Sequence, residues 1–398
     1  MSATRPPARV PIALLAFFTL CGTLAIHIFV PVLPVAARDM SATAGAMQLT
    51  VSLYIAGLCA GQLFYGPLSD LFGRKPMLMI GLGLYTICGL IAALATSVDT
   101  LMVARLFQAL GGCAGLVLGR SIARDTSQAH DAAHRIAVLS LVAALGPAFA
   151  PVVGSALASV WGWRSILYAL VGLGMANLLC CWYLLPETAP FEVSEEGKLT
   201  QLLRNCRRLL KSPAFVAYSV GAGCNTTAIY AFITAAPFIF LNQMNRQAHE
   251  VGLYLGLLAM VMVFGSLCAS RLIRSVSSQT LLRAASAASV LSTVVFLYAA
   301  LVGQLSIAWV MGPLMVYGLS AAIVSPAATA EALSVHPDIV GSASGLYGFI
   351  HMFVGVICTV LVGLGSNPAV SAAAVLLGAG VVAQTGYWIA ARDRHDAK

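Results

Sequence analysis

Charge is what this sequence has least of. Only 9% of its 398 residues are charged, against about a quarter in soluble globular domains, and 60% are hydrophobic. That balance excludes a water-soluble enzyme. Acids are scarcest, 14 Asp+Glu against 22 Lys+Arg, and the 10 cysteines have no disulfide or metal-ligand spacing. Cys21, Cys59, Cys88, Cys113, Cys180, Cys181, Cys224, Cys268 and Cys358 fall inside apolar runs, where a thiol behaves as a small buried hydrophobe. No metal, cofactor or redox role is expected. The net charge of +8 is scattered through short segments rather than gathered on one face, so no nucleic-acid partner is expected either.

What the chain does have is apolar length. One bilayer crossing needs about 20 mainly apolar residues, and such runs occur at about 10–35, 47–66, 77–97, 101–123, 136–159, 164–185, 213–240, 251–270, 280–302, 306–329, 341–363 and 369–391. This is an all-α membrane protein of twelve transmembrane helices. Most connections are short, and the one long polar stretch, Glu187 to Lys211, divides the chain into a first bundle (1–186), a connector (187–212) and a second bundle (213–398). Leu199, Leu202, Leu203 and Leu209 give that connector an apolar edge, as a helix lying on the membrane surface would need. After Arg5 and Arg9 the first apolar run continues to Pro31 without a small-residue cleavage site, so it reads as a retained span and not a signal peptide.

The basic residues orient the spans. Apart from Arg38, Arg164 and Arg246, and Arg105 within a span, the basic residues, 18 of the 22, lie on the side that carries both termini, which is therefore expected to be cytoplasmic. Glycine and proline, breakers in a soluble helix, suit membrane helices that pack closely and flex. Gly111, Gly112, Gly115 and Gly119 give the fourth span a small-residue face, while Gly146, Pro147, Pro151 and Gly154 make the fifth bendable.

Between the second and third spans stands Gly66-Pro67-Leu68-Ser69-Asp70-Leu71-Phe72-Gly73-Arg74-Lys75-Pro76, in which Asp70 can accept hydrogen bonds at a helix end while Arg74 and Lys75 reach helix termini and acids such as Asp125. This resembles the signature loop of the major facilitator superfamily. Arg105-Leu106-Phe107-Gln108-Ala109 resembles that family's fourth-span motif, with alanine where glycine is usual, and the run from Gly146 to Gly154 resembles its antiporter motif. Trp163-Arg164, Arg120 to Asp125, Pro186-Glu187-Thr188, Ala235 to Phe238 and Gly341 to Gly345 narrow the likeness to the Bcr/CflA multidrug efflux branch of drug:proton antiporters. A weak internal repeat, Gly265 to Arg274 standing where Gly66 to Lys75 stands in the first half, agrees. The resemblance implies two six-helix bundles around a central cavity in a bacterial inner membrane, a monomer, and export of small amphipathic molecules, drug-like or siderophore-like, against protons. It also implies that Gly66, Asp70, Gly73, Arg74, Lys75, Asp125, Gly146, Pro147, Pro151 and Gly154 serve conformational gating.

The centre departs from the family. Where the resembled first span usually carries an aspartate, this chain reads Ala25-Ile26-His27-Ile28-Phe29-Val30-Pro31, and none of its 14 acids falls clearly mid-span. An ionisable residue inside the membrane costs about 2.5–3.5 kcal/mol on insertion scales and is a functional candidate by default. Those candidates are His27, Arg105 and His351. Histidine ordinarily titrates near pH ~6.5, so His27, with or without His351, is the expected proton carrier, and Arg105 is expected to bias it or bind substrate. A cavity without a carboxylate cannot neutralise a cation, which points to neutral, zwitterionic or anionic substrates. Gln108, Asn225, Tyr230, Tyr254, Tyr317 and Tyr347, polar or aromatic residues in spans that line such cavities, join the two histidines as cavity candidates. Proton-linked uptake is the rival reading, and a membrane enzyme or receptor a more distant one, since no paired carboxylates or nucleophile–base set lies within the spans.

Overall fold

A computed structural model describes residues 10–127, 129–188, 198–273 and 275–396 of the chain. It contains twelve helices long and apolar enough to cross a membrane: Ile12–Asp39, Ala44–Phe72, Arg74–Leu94, Val98–Asp125, His134–Trp161, Arg164–Leu184, Pro213–Gln243, Ala248–Leu272, Ser278–Val302, Ile307–Ser334, Pro337–Gly363 and Pro368–Ala391. Their ends follow local chemistry. Thr43, Ser97 and Ser277 each accept a hydrogen bond at 3.2 Å from the backbone N–H three residues on, which starts the second, fourth and ninth spans. Gly303, at φ +74°, ends the ninth in the left-handed conformation that glycine adopts without strain.

Two spans are interrupted where the sequence suggests continuity. In the first, regular α-helix ends at His27, passes through a 3₁₀ turn at Val30–Val32 and resumes at Leu33. Pro31 and Pro34 lack the N–H groups a continuous ladder requires. The seventh span, its counterpart in the second half, stops at Thr226 and resumes at Ile229. No proline or glycine stands at this second break. Instead the Thr226 hydroxyl bonds the Ala222 carbonyl at 2.7 Å and the Thr227 hydroxyl lies 2.8 Å from the Gly223 carbonyl, side-chain bonds that compete with the helical ladder.

Small residues set the packing inside the first bundle. A Cβ on Gly111 would strike the backbone of Gly81 and Tyr85 in the third span, and one on Gly115 would strike the Phe18 carbonyl in the first. The fourth span thus seats two neighbours at backbone distance. Between the bundles, the second span packs on the eleventh and the fifth on the eighth. A Cβ on Gly45 would collide with the Gly363 carbonyl, one on Gly252 would lie 2.7 Å from the Pro151 carbonyl, and one on Gly256 would lie 2.9 Å from the Ala148 carbonyl. These contacts lie toward the end where Trp163 and Arg164 hydrogen-bond Asp39 at 3.1 and 2.5 Å, here the far end. At the opposite, basic end, Gly66, Gly341 and Gly345 have nothing within 4 Å of where a Cβ would stand. The bundles thus approach at backbone distance at the far end, and these three glycines of the basic end make no such approach.

Candidate functional site

A cavity of about 240 Å³ lies between the bundles, bounded by the first and fifth spans on one side and the seventh, eighth, tenth and eleventh on the other. It begins at the two helix breaks and extends toward the basic end as far as Ser266 and Ser325. Its walls are mainly apolar, with Ile229, Ile233, Leu255, Leu258, Met262 and Met352 among them. The polar residues among those that line it are His27, Thr226, Thr227, Tyr230, Ser266, Ser325 and His351. Among the described residues no carboxylate lines it.

The two histidines are held in defined roles. His27 Nδ1 sits 3.0 Å from the Thr23 carbonyl, which only accepts, so Nδ1 carries the hydrogen and Nε2 keeps a lone pair. The His27 ring lies 5.9 Å from that of Tyr230, across the bundle boundary. His351 Nε2 contacts the Thr226 hydroxyl, whose own hydrogen goes to the Ala222 carbonyl, so Nε2 donates and Nδ1 keeps the lone pair. The His351 backbone carbonyl is 2.7 Å from the Thr227 hydroxyl, which ties the eleventh span to the break in the seventh.

Several expected cavity residues lie elsewhere. Arg105 is fully buried inside the first bundle: Nη1 donates to Gln108 Oε1 at 2.9 Å, Nη2 donates to the Ala25 carbonyl at 2.8 Å, and the guanidinium lies 4.1 Å from the Tyr54 ring centre and 5.2 Å from that of Phe29. Two hydrogen bonds and two aromatic faces stand around this charge, with no counter-ion among the described residues, and Nε is left without a partner. Gln108, its partner, is likewise outside the cavity. Asn225 turns into the second bundle toward Ser289 at 3.5 Å, and the Tyr317 hydroxyl bonds the Cys224 carbonyl at 3.4 Å within the same core. Tyr254 bonds Glu250 at 2.8 Å near the far end. Tyr347 stands behind the cavity wall, stacked 5.6 Å from His351 with its hydroxyl 2.9 Å from that of Thr329. Of the eight cavity candidates, only His27, Tyr230 and His351 line it. Thr226, Thr227, Ser266 and Ser325 were missed, since a lone hydroxyl in a membrane helix ordinarily bonds its own backbone.

At the basic end the signature loop forms a network within the first bundle. Arg74, almost fully buried, pairs with Asp70 at 2.7 Å and Asp125 at 2.9 Å and also contacts the Ser69 hydroxyl. The backbone N–H groups of Arg74 and Lys75 donate to Glu187 at 3.0 and 3.2 Å, an anchor the sequence reading did not anticipate. The Lys75 ammonium bonds the Trp182 carbonyl at 2.9 Å instead of an acid. Gly73, at φ +94°, provides the turn, and a Cβ there would stand 2.8 Å from Glu187 Oε2. In the fifth span, Pro147 and Pro151 line the cavity, Gly146 faces Thr23, and Gly154 rests on the Ile28 carbonyl. The helix runs unbroken from Ala129 to Trp161 through both prolines.

Twelve spans with broken first helices in both halves, around a cavity shared between the bundles, define a transporter of the alternating-access kind. Residues 15–359 match the Major Facilitator Superfamily, and the chain belongs to that family. It is 27% identical over 383 residues, 96% of this chain and 95% of the relative, to an uncharacterised MFS-type transporter of Bacillus subtilis. It is 26% identical over 354 residues, 87% of each chain, to a bicyclomycin resistance protein homolog of Haemophilus influenzae. A chloramphenicol resistance protein of Pseudomonas aeruginosa is 28% identical over 339 residues, 84% of this chain and 79% of the relative. These relatives bear out the Bcr/CflA-like branch that the motifs resemble. The fold matches a crystal structure of a D-xylose-proton symporter with TM-score 0.79, 14% identity and coverage of 95% and 96%. A bacterial homolog of the lysosomal transporter Spinster, in an inward-facing and unoccupied conformation, matches with TM-score 0.77, 15% identity and 96% of both chains.

Proposed function

We propose that this protein exports small amphipathic molecules from the cytoplasm of a bacterium in exchange for protons, with His27 and His351 as the proton-accepting groups. One observation carries the reading: each bundle presents one imidazole, with one ring nitrogen not engaged in a hydrogen bond, to a cavity that no carboxylate lines among the described residues. The resistance names of the relatives support drug-like cargo and outward transport. Both termini are cytoplasmic on this reading, so the basic end faces the cytoplasm, and with the bundles at backbone distance at the far end the state is inward-facing, loading cargo from inside. Residues 1–186 and 213–398 then rock about the cavity, and the Arg74 network holds together the cytoplasmic ends of spans two, three, four and six as they move. Arg105 acts as a positioning residue, gripping the Ala25 carbonyl two residues before His27. The apolar wall and the lack of an acid favour neutral, zwitterionic or anionic cargo, phenicol-like or siderophore-like, over lipophilic cations. The protein works as a monomer, with no catalytic step, on the substrate, protons and the bilayer alone.

Transport by His27→Ala, His27→Asp and His351→Ala variants, with and without an imposed pH gradient, tests this. Loss of gradient-driven efflux in His27→Ala with recovery in His27→Asp is expected. Unchanged gradient-driven efflux in both His27 variants would overturn proton carriage by that residue.

A further inference from the structure

A second cavity lies away from the transport path. It is a lateral groove of about 410 Å³ between the start of the seventh span and the end of the twelfth, bordered by Val216, Val220, Val382, Thr385 and Ile389, with Lys211 at its mouth. The two helices touch along its floor, where a Cβ on Gly386 would lie 3.1 Å from the Ala217 carbonyl. Residues 213 to 220 run about 10 Å into the membrane at 1.5 Å per residue, enough for a good part of one acyl chain. Val382 and Ile389 are 47% and 54% exposed, so the groove opens sideways to lipid and not toward the cavity between the bundles.

Charge at the mouth selects the occupant. The connector helix Lys198–Leu210 leads directly into it, with Leu203 and Leu210 exposed at 63% and 55%. Arg207 lies one turn after Leu203, and Lys211 one turn after Arg207, so cations and exposed leucines share one edge. That arrangement fits a helix lying in the plane of the interface. Arg208 is engaged by Asp338 at 2.5 Å, whereas Arg207 and Lys211 have no acidic partner within 4 Å among the described residues. Trp388, half exposed next to Ile389 and stacked under Arg283 at 5.3 Å, places the same level at the membrane–water boundary.

We propose that this groove is a binding site for an anionic phospholipid, with the phosphate held by Lys211 and Arg207 and one acyl chain lying along Val216, Val220 and Val382. A basic recess between spans beside the headgroup region is the feature that retains such lipids. The bound lipid would tie the connector to the second bundle at the hinge between the halves.

The test uses the full chain, purified in detergent and delipidated, with dioleoylphosphatidylglycerol or dioleoylphosphatidylcholine added and the adducts counted by native mass spectrometry. The wild type is expected to retain phosphatidylglycerol at least about five-fold better, the double variant R207Q/K211Q to lose that preference, and Thr385→Trp, which fills the groove without changing charge, to lose both lipids. Circular dichroism of each variant checks that it is folded. Equal retention of the two lipids by the wild type, or an undiminished preference in R207Q/K211Q, would overturn the proposal.

Discussion

His27 and His351 reach one cavity from opposite bundles, each fixed beside a helix break: His27 ends the first regular segment of span one, and His351 contacts Thr226, which ends the first segment of span seven. The pair therefore sits where the backbone is least regular and where the two halves meet. If the bundles rock as proposed, the surroundings of both imidazoles would change together, which is what coupling requires.

Charge selection should follow from this placement. With no carboxylate lining the cavity among the described residues, a lipophilic cation has no counter-charge there, and wild-type protein should leave ethidium accumulation in an efflux-deficient host nearly unchanged. His27→Asp adds the missing charge at the same point and should lower ethidium retention several-fold. Strong ethidium efflux by the wild type would refute the charge argument.

Arg74 should not tolerate lysine. Its guanidinium meets Asp70, Asp125 and Ser69 at once, a divergent geometry that a single ammonium cannot reproduce. Arg74→Ala leaves Asp125, 15% exposed, without this partner and should cost about 3 kcal/mol, as for a buried pair losing one member. Asp70 is 53% exposed, so Asp70→Asn should cost less than about 1 kcal/mol. Thermal unfolding in detergent checks the order, which should be Arg74→Ala below Arg74→Lys, and both below Asp70→Asn.

Two glycines in neighbouring spans should behave oppositely. At Gly115 a methyl group would drive into the Phe18 backbone, which cannot yield as a side chain could, and overpacking of this kind costs about 1–3 kcal/mol. At Gly83 nothing stands within 4 Å, so alanine there should be neutral or stabilise the helix by about 0.5–1 kcal/mol. Melting temperatures of Gly115→Ala and Gly83→Ala should therefore move in different directions, or the first alone should fall.

The sequence made the spans legible because apolar length is a one-dimensional property. Depth along a span was legible too: His27 and His351 stand near mid-span and do meet at the cavity. The direction in which a residue points was not. In water the polar face of a helix reveals its outer side, but here lipid face and core face are both apolar, so Asn225, Tyr254 and Tyr317 could not be told from cavity residues. All three find their hydrogen-bond partners inside the second half of the molecule: Tyr254 on Glu250, Tyr317 on the Cys224 carbonyl, and Asn225 accepting from Ser289 with its own Nδ2 left unpartnered. The first break has a cause in Pro31 and Pro34, although the apolar run through them reads as one continuous span. The second rests on two adjacent threonines whose hydroxyls bond backward, a signal too common in membrane helices to be read alone.

Closure at the far end offers the most direct test of conformational cycling. A Cβ on Gly252 would stand 3.1 Å from Ser155 Cβ and 2.7 Å from the Pro151 carbonyl, so the two helices must part by a few tenths of an ångström to admit it, which carries the pair toward the spacing of about 3.5–4.5 Å found between Cβ atoms of bridged cysteines. Ser155 belongs to the fifth span and Gly252 to the eighth, so the bridge would join the two bundles at the end that must part for release to the outside. In a background with the 10 native cysteines replaced, the Ser155→Cys/Gly252→Cys pair should cross-link under mild oxidation and abolish transport. Reduction should restore it, while each single variant stays active under both conditions. Full transport by the cross-linked protein would mean that the fifth and eighth spans do not separate in the cycle, and the rocking motion would have to be replaced by one that keeps them joined.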